Sequence, residues 1–128
     1  MDMDQKIAIT KYVAEQFGLP VDKKSMKKWI AQWWCNPRQK LKGGLKLTED
    51  GFARLSAHFK CHKITLDEPI EYTNQMILRF DNWVNCPWYI TSKAIYVFND
   101  KTAVELVLFS GNIRRFFNAK AMSLDNTV

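Results

Sequence analysis

Residues 23–48 carry eight basic side chains, Lys23, Lys24, Lys27, Lys28, Arg38, Lys40, Lys42 and Lys46, and no acidic one. Like charges at this density cannot enter a core, because each unpaired ion in an apolar interior costs several kcal/mol. The segment is therefore confined to the surface and anchored by the apolar residues threaded through it. Ordinary solvated faces intersperse the two signs. A one-signed run over 26 positions fits either a surface that meets a polyanion or a solvated face that keeps a small protein soluble, and the expected function follows the first. The asymmetry extends to the halves of the chain. Residues 1–64 hold thirteen Lys/Arg against six Asp/Glu, a net +7, and residues 65–128 hold six against seven, a net −1.

Apolar spacing predicts how the run is held. In residues 3–17, Ile9, Val13 and Phe17 recur at four-residue steps beside Tyr12, the stripe of a helix. Gly18, Leu19 and Pro20 end it, and Asp22 stands where an N-cap belongs. A second helix over residues 23–34 places Met26, Ile30 and Trp33 or Trp34 on one face with Trp29 at its edge, and leaves the four lysines largely outside that stripe. Pro37 stops it. Residues 40–47 alternate charged and apolar side chains around Gly43 and Gly44, the pattern of a short hairpin. Thr48 caps a third helix to about Phe59, in which Phe52, Leu55 and Phe59 face inward and Glu49 and Asp50 complement the dipole.

The second half reads as a short strand over residues 60–66, a helix from 69 to about 85, and a second hairpin formed by residues 88–91 and 94–98. A helix capped by Asn99 or Asp100 follows, apolar on nearly every side around Val104 and Leu106 and therefore expected to be buried. Gly111 ends that helix, and Ile113, Phe116 and Phe117 mark one last apolar face. The expected fold is α+β and mainly helical: one compact domain over residues 1–122, five to six helices with two small β-hairpins, a winged-helix-like N-terminal half, and a flexible tail over residues 123–128. At 128 residues the chain suits a single core. No secretory leader or membrane span is readable, and three cysteines at irregular spacings argue against a disulfide framework, so the expected location is the cytoplasm, away from membranes.

A basic helix followed by a basic, glycine-containing hairpin and a capped helix is the order of a winged-helix module, in which helix and wing both lie against DNA. Residues 47–55, Leu-Thr-Glu-Asp-Gly-Phe-Ala-Arg-Leu, resemble the Leu-Thr-x-x-Gly-x-x-x-Leu step of PadR-like and MarR-like winged-helix regulators, and the resemblance covers about thirty-five residues. It implies that the helix over residues 22–34 is a recognition element, that Lys40, Lys42 and Lys46 are wing contacts, and that Thr48 and Gly51 serve the turn. This helix carries three tryptophans, and only Ser25 and Gln32 among the side chains that read base edges. The whole chain also resembles small proteins of tailed phages, particularly marine ones, in residues 33–38 and 94–98. That resemblance implies a host-takeover role, which such proteins commonly perform by binding DNA or a host enzyme.

Other constellations are weaker. Trp29 and Trp33 have core spacing, which leaves Trp34 as the ring expected to be exposed and free to stack on bases. His58, Cys61 and His62, with Cys35 or Cys86, fall close enough to suggest zinc but lack paired short spacings, so no metal is expected. Acidic pairs such as Asp67 and Glu68 sit at a helix start, and no activated nucleophile or phosphate-cradling loop is present. No enzyme and no cofactor is expected. Arg114 and Arg115 beside Phe116 and Phe117 fit either an interface anchor or a solvated helix face. The expected function is nucleic-acid binding, to duplex or single-stranded DNA with low sequence specificity, through Lys23, Lys24, Lys27, Lys28, Arg38, Lys40, Lys42, Lys46 and Trp34. The alternative is a protein-binding module that modulates an acidic host protein through the same surface, and either arrangement leaves room for a homodimer.

Overall fold

The computed structural model describes residues 3–35, 46–108, 111–119 and 121–127. Its elements run α1 (Met3–Gln16), α2 (Lys23–Trp33), α3 (Glu49–Ser56), β1 (Cys61–Leu66), α4 (Asn74–Trp83), β2 (Trp88–Ile90), β3 (Ala94–Val97), α5 (Asp100–Leu108), α6 (Gly111–Phe117) and β4 (Ala121–Thr127). Six helices and four strands make the chain α+β.

The four strands form one antiparallel sheet in the order β2-β3-β1-β4. Side chains alternate across a strand, and the two faces take different helices. On one face Trp88, Ile90, Ile64, Ile95 and Val97 join Ile77, Phe80, Leu106, Ile113 and Phe117 in a core with α4, α5 and α6. On the other, Tyr89 and Phe98 pack against a smaller core built from Val13, Trp33, Trp34, Leu47 and Leu55 of the N-terminal helices. Phe52 of α3 joins the two layers, its ring stacked on Tyr89 with centroids 4.6 Å apart and tilted against Tyr96 at 4.8 Å.

Local signals set the helix starts. Asp22, Thr48 and Thr73 each cap a helix with a side-chain oxygen that accepts a backbone N–H, from Ser25, Gly51 and Met76 respectively. Asn99 Oδ1 accepts from the Thr102 amide at 2.9 Å and does the same for α5. The helix expected from residue 69 begins at Asn74, because Thr73 and not Pro69 supplies the cap.

Two expectations about the C-terminal half are overturned. Of the tail expected over residues 123–128, residues 123–127 belong to β4, which pairs along the whole of β1, from Cys61↔Thr127 to Leu66↔Ala121. Its apolar Met122 and Leu124 are exposed, so the strand is held by main-chain hydrogen bonds to an edge of β1 that would otherwise be unpaired. Nor is α5 buried all round. Ala103 and Leu106 are buried, whereas Val104 and Leu108 are 46% and 72% exposed, because the sheet covers only one side of the helix.

The junction of α2 and α3 is a close one. Thr48 N–H donates to Trp33 O at 3.0 Å, and Thr48 Oγ1 donates to Gln32 O while accepting from Gly51 N–H at 3.1 Å. One residue thus satisfies the carbonyl end of α2 and the amide end of α3. Gly51 is required by proximity: a Cβ there would lie 2.1 Å from Trp33 O. Gly→Ala in an exposed helix interior stabilises by about 1 kcal/mol. At this contact Gly51→Ala is expected to destabilise instead, by about 1–3 kcal/mol. Urea unfolding measures the sign, and a gain in stability would show that the two helices do not approach in this way.

Candidate functional site

Lys23, Lys24, Lys27 and Lys28 of the basic run all stand on α2, and all are exposed. At about 100° per residue, Lys23, Lys27, Lys24 and Lys28 fall within an arc of roughly 140°. The opposite side holds buried Met26 and Trp33 and half-buried Trp29 and Ile30. Among the described residues none of the four lysines forms an ion pair. Lys28 Nζ stands 5.2 Å from the centroid of the Trp29 ring.

This placement opposes helix stability in two ways. Lys23 and Lys24 occupy the first turn, where the macrodipole is positive, and that turn holds no acidic residue. Lys23/Lys27 and Lys24/Lys28 are like-charged pairs at i,i+4, which repel. Only the N-cap favours the helix electrostatically: the Ser25 hydroxyl and amide hold the Asp22 carboxyl below its ordinary range.

The tryptophans hold the face in position. Trp33 is fully buried, with the Trp29 ring stacked on it at 5.7 Å, and Trp29 Nε1–H donates to Pro20 O at 2.9 Å. The expectation that Trp34 is an exposed stacking ring is corrected. It is 2% exposed, its Nε1–H donates to Thr10 Oγ1 at 2.9 Å, and Lys6 Nζ lies 5.5 Å from its ring centroid. Helical spacing misleads at this position because Trp34 is the C-cap, with φ −115° and ψ 128°, so its side chain leaves the helical wheel and turns inward against α1. Burial pushes the Lys6 ammonium below its ordinary range, against the opposing pull of the Asp81 carboxylate.

The remaining basic positions divide. Arg38, Lys40 and Lys42 lie outside the described residues, as does most of the hairpin expected over residues 40–47. Its flanks are described. Cys35 N–H donates to Lys46 O, Trp34 and Leu47 form an antiparallel bridge, and Leu47 N–H donates to Trp88 O at 2.7 Å. Half-buried Lys46 therefore stands at the base of that segment, beside the end of α2.

The suspected zinc ligands are dispersed. His62 Nε2 is hydrogen-bonded to Asp100 Oδ1, which holds the Asp100 carboxyl below its ordinary range, and His58 lies edge-on to Tyr12 and Phe17. Among the described residues no group of three or more His, Cys, Asp or Glu is placed to hold a metal ion. No helix among them is long and apolar enough to cross a membrane. The C-terminal Arg-Phe pair gains partners that linear reading missed: Arg115 and Phe116 line a cavity of about 330 Å³ with Arg79, Asn82 and Trp83 of α4. The spacing of those three is helical, but only the packing of α6 on α4 brings the two sets together.

No protein-family model, curated protein or solved structure matches the chain.

If the first-turn lysines work against the helix, reversing their charge relieves it. Lys23→Glu and Lys24→Glu are each expected to raise stability by about 0.3–1 kcal/mol at low ionic strength. The gain should shrink as salt screens it. Denaturant unfolding at two salt concentrations checks this, and a salt-independent loss of stability would show that the two lysines hold the fold together.

Proposed function

We propose that the protein binds DNA through the lysine face of α2, mainly by contacts to phosphates and hence with little sequence preference. The observation that carries this reading is the set of four exposed lysines, without ion pairs among the described residues, on one arc of one helix and at positions where they oppose the dipole. An anionic partner converts that internal cost into binding energy, since each phosphate neutralised releases condensed counterions.

The rest of α2 favours backbone contact over base reading. Ser25 Oγ is committed to Asp22 at 2.7 Å, which leaves Gln32 as the exposed side chain suited to a base edge. With Trp33 and Trp34 buried, Trp29 is the one half-buried indole of the helix and is itself stacked on Trp33, so the face is richer in cations than in aromatic surface and duplex is the favoured form. The winged-helix comparison draws support from α2 packing on α1 and on α3, with antiparallel pairing of residues 34–35 and 46–47 between α2 and α3, at the base of the intervening segment. In this reading Lys46 and the basic residues at 38, 40 and 42 extend the contact along the backbone. Three free thiols suit a reducing, intracellular setting.

Fluorescence anisotropy with a labelled duplex tests the proposal. Neutralising about four phosphates predicts a log–log salt slope near −3.6. Affinities for unrelated sequences should agree within about tenfold, and reversal of all four α2 lysines to Glu should remove most of the slope. Absence of binding to duplex and single strands at low salt would defeat the DNA reading and leave the face to an acidic protein, which a pull-down from nuclease-treated lysate would identify.

A further inference from the structure

The cavity between α4 and α6 shares no residue with the lysine face, and its chemistry is different. Among the described residues five side chains line it, Arg79, Asn82, Trp83, Arg115 and Phe116, and none of these is a carboxylate. Both arginines are exposed, and neither forms an ion pair among the described residues. Two guanidinium forks at one concavity are suited to a phosphate or carboxylate, whose oxygens they meet bidentately.

The aromatic part is equally specific. Phe116 is buried and Trp83 half-buried, their rings 5.6 Å apart and inclined at 44°, and the Arg115 guanidinium stands 5.2 Å from the Phe116 centroid. Trp83 also rests on Phe80 at 5.9 Å, so the indole is held from below and is not a swinging surface ring. An anchored indole beside cationic forks suits a ligand that is planar at one end and anionic at the other. Asn82 adds an amide that both donates and accepts, as the edge of a heteroaromatic base requires. Ligand pockets span about 300–1,000 Å³. At about 330 Å³ this cavity is scaled to one small unit and not to a length of strand.

We infer that this cavity binds a single nucleotide unit, with its base against Trp83 and its phosphate between Arg79 and Arg115. The same chemistry is presented by a free mononucleotide and by the phosphorylated end of a strand. The inference does not depend on the lysine face, and the two are separable by mutation.

Titration of the full chain with dAMP, deoxyadenosine and inorganic phosphate, followed by tryptophan fluorescence and calorimetry, tests it. dAMP should bind more tightly than either half-ligand. Arg79→Gln with Arg115→Gln should weaken it by about tenfold or more, the loss of a charge-assisted hydrogen bond. The four-lysine reversal on α2 should leave dAMP binding unchanged. The double Lys variant, which keeps both charges but loses both forks, should fall between the wild type and the double Gln variant and serves if the latter does not fold. Displacement of dAMP by a 5′-phosphorylated oligonucleotide better than by its unphosphorylated form would assign the site to strand ends, and equal displacement would assign it to free nucleotides. No dAMP binding at millimolar concentration, equal binding of dAMP and phosphate, or full affinity in a folded double Gln variant would each overturn the inference.

Discussion

Trp33 O, at the last residue of α2, receives the Thr48 amide and lies where a Cβ on residue 51 would collide with it. The orientation of α2 depends on that contact. It holds the helix against α3 on the side of Trp33, so the arc bearing Lys23, Lys24, Lys27 and Lys28 points outward. Through Leu47 and Trp88 the same junction reaches the sheet, and through the Trp34 indole it reaches Thr10 of α1. On the other side of the sheet the Trp88 indole donates to buried Asp81 of α4 at 2.9 Å. The Trp34 and Trp88 indoles thus join neighbouring layers by directional hydrogen bonds as well as by area, as large rings with a polar handle commonly do.

A helix placed so firmly by its apolar side is free to carry charges on the other side that do not favour its own formation. The local cost at Lys23 and Lys24 is small beside the burial of Trp33, Trp34, Leu47 and Leu55, which hold α2 whatever its exposed face contains. In the proposed reading stability and binding fall on opposite faces of one element. The α4–α6 cavity repeats the division on a smaller scale, with Phe116 buried toward the core and Arg115 turned to solvent.

Much of this was legible from local patterns. Asp22 and Thr48 announced two helix starts, Trp29 and Trp33 announced a core face, and alternation identified β1 and the β2–β3 hairpin. What was not legible is non-local. Residues 121–127 hold only Met122 and Leu124 in alternation, both exposed, and their pairing depends on an edge of β1 more than fifty residues away. Trp34 followed helical spacing on paper but leaves the helix at its C-cap, where backbone geometry overrides the wheel. The apolar run of α5 suggested burial on all sides, yet a helix resting on a sheet is covered on one. Of the candidate site, the lysine face could be read from spacing alone, whereas the cavity required the packing of α6 on α4.

The central claim is that the lysine arc of α2 meets the polyanion. Backbone amide shifts of the labelled protein, followed as a short DNA duplex is added, locate the contact without any substitution. The account predicts that the largest changes fall on the exposed arc of α2, at Lys23, Lys24, Lys27 and Lys28, and at Lys46 beside its end, with β1 and α5 unmoved. Binding that perturbs other surfaces and leaves the α2 amides in place would contradict it.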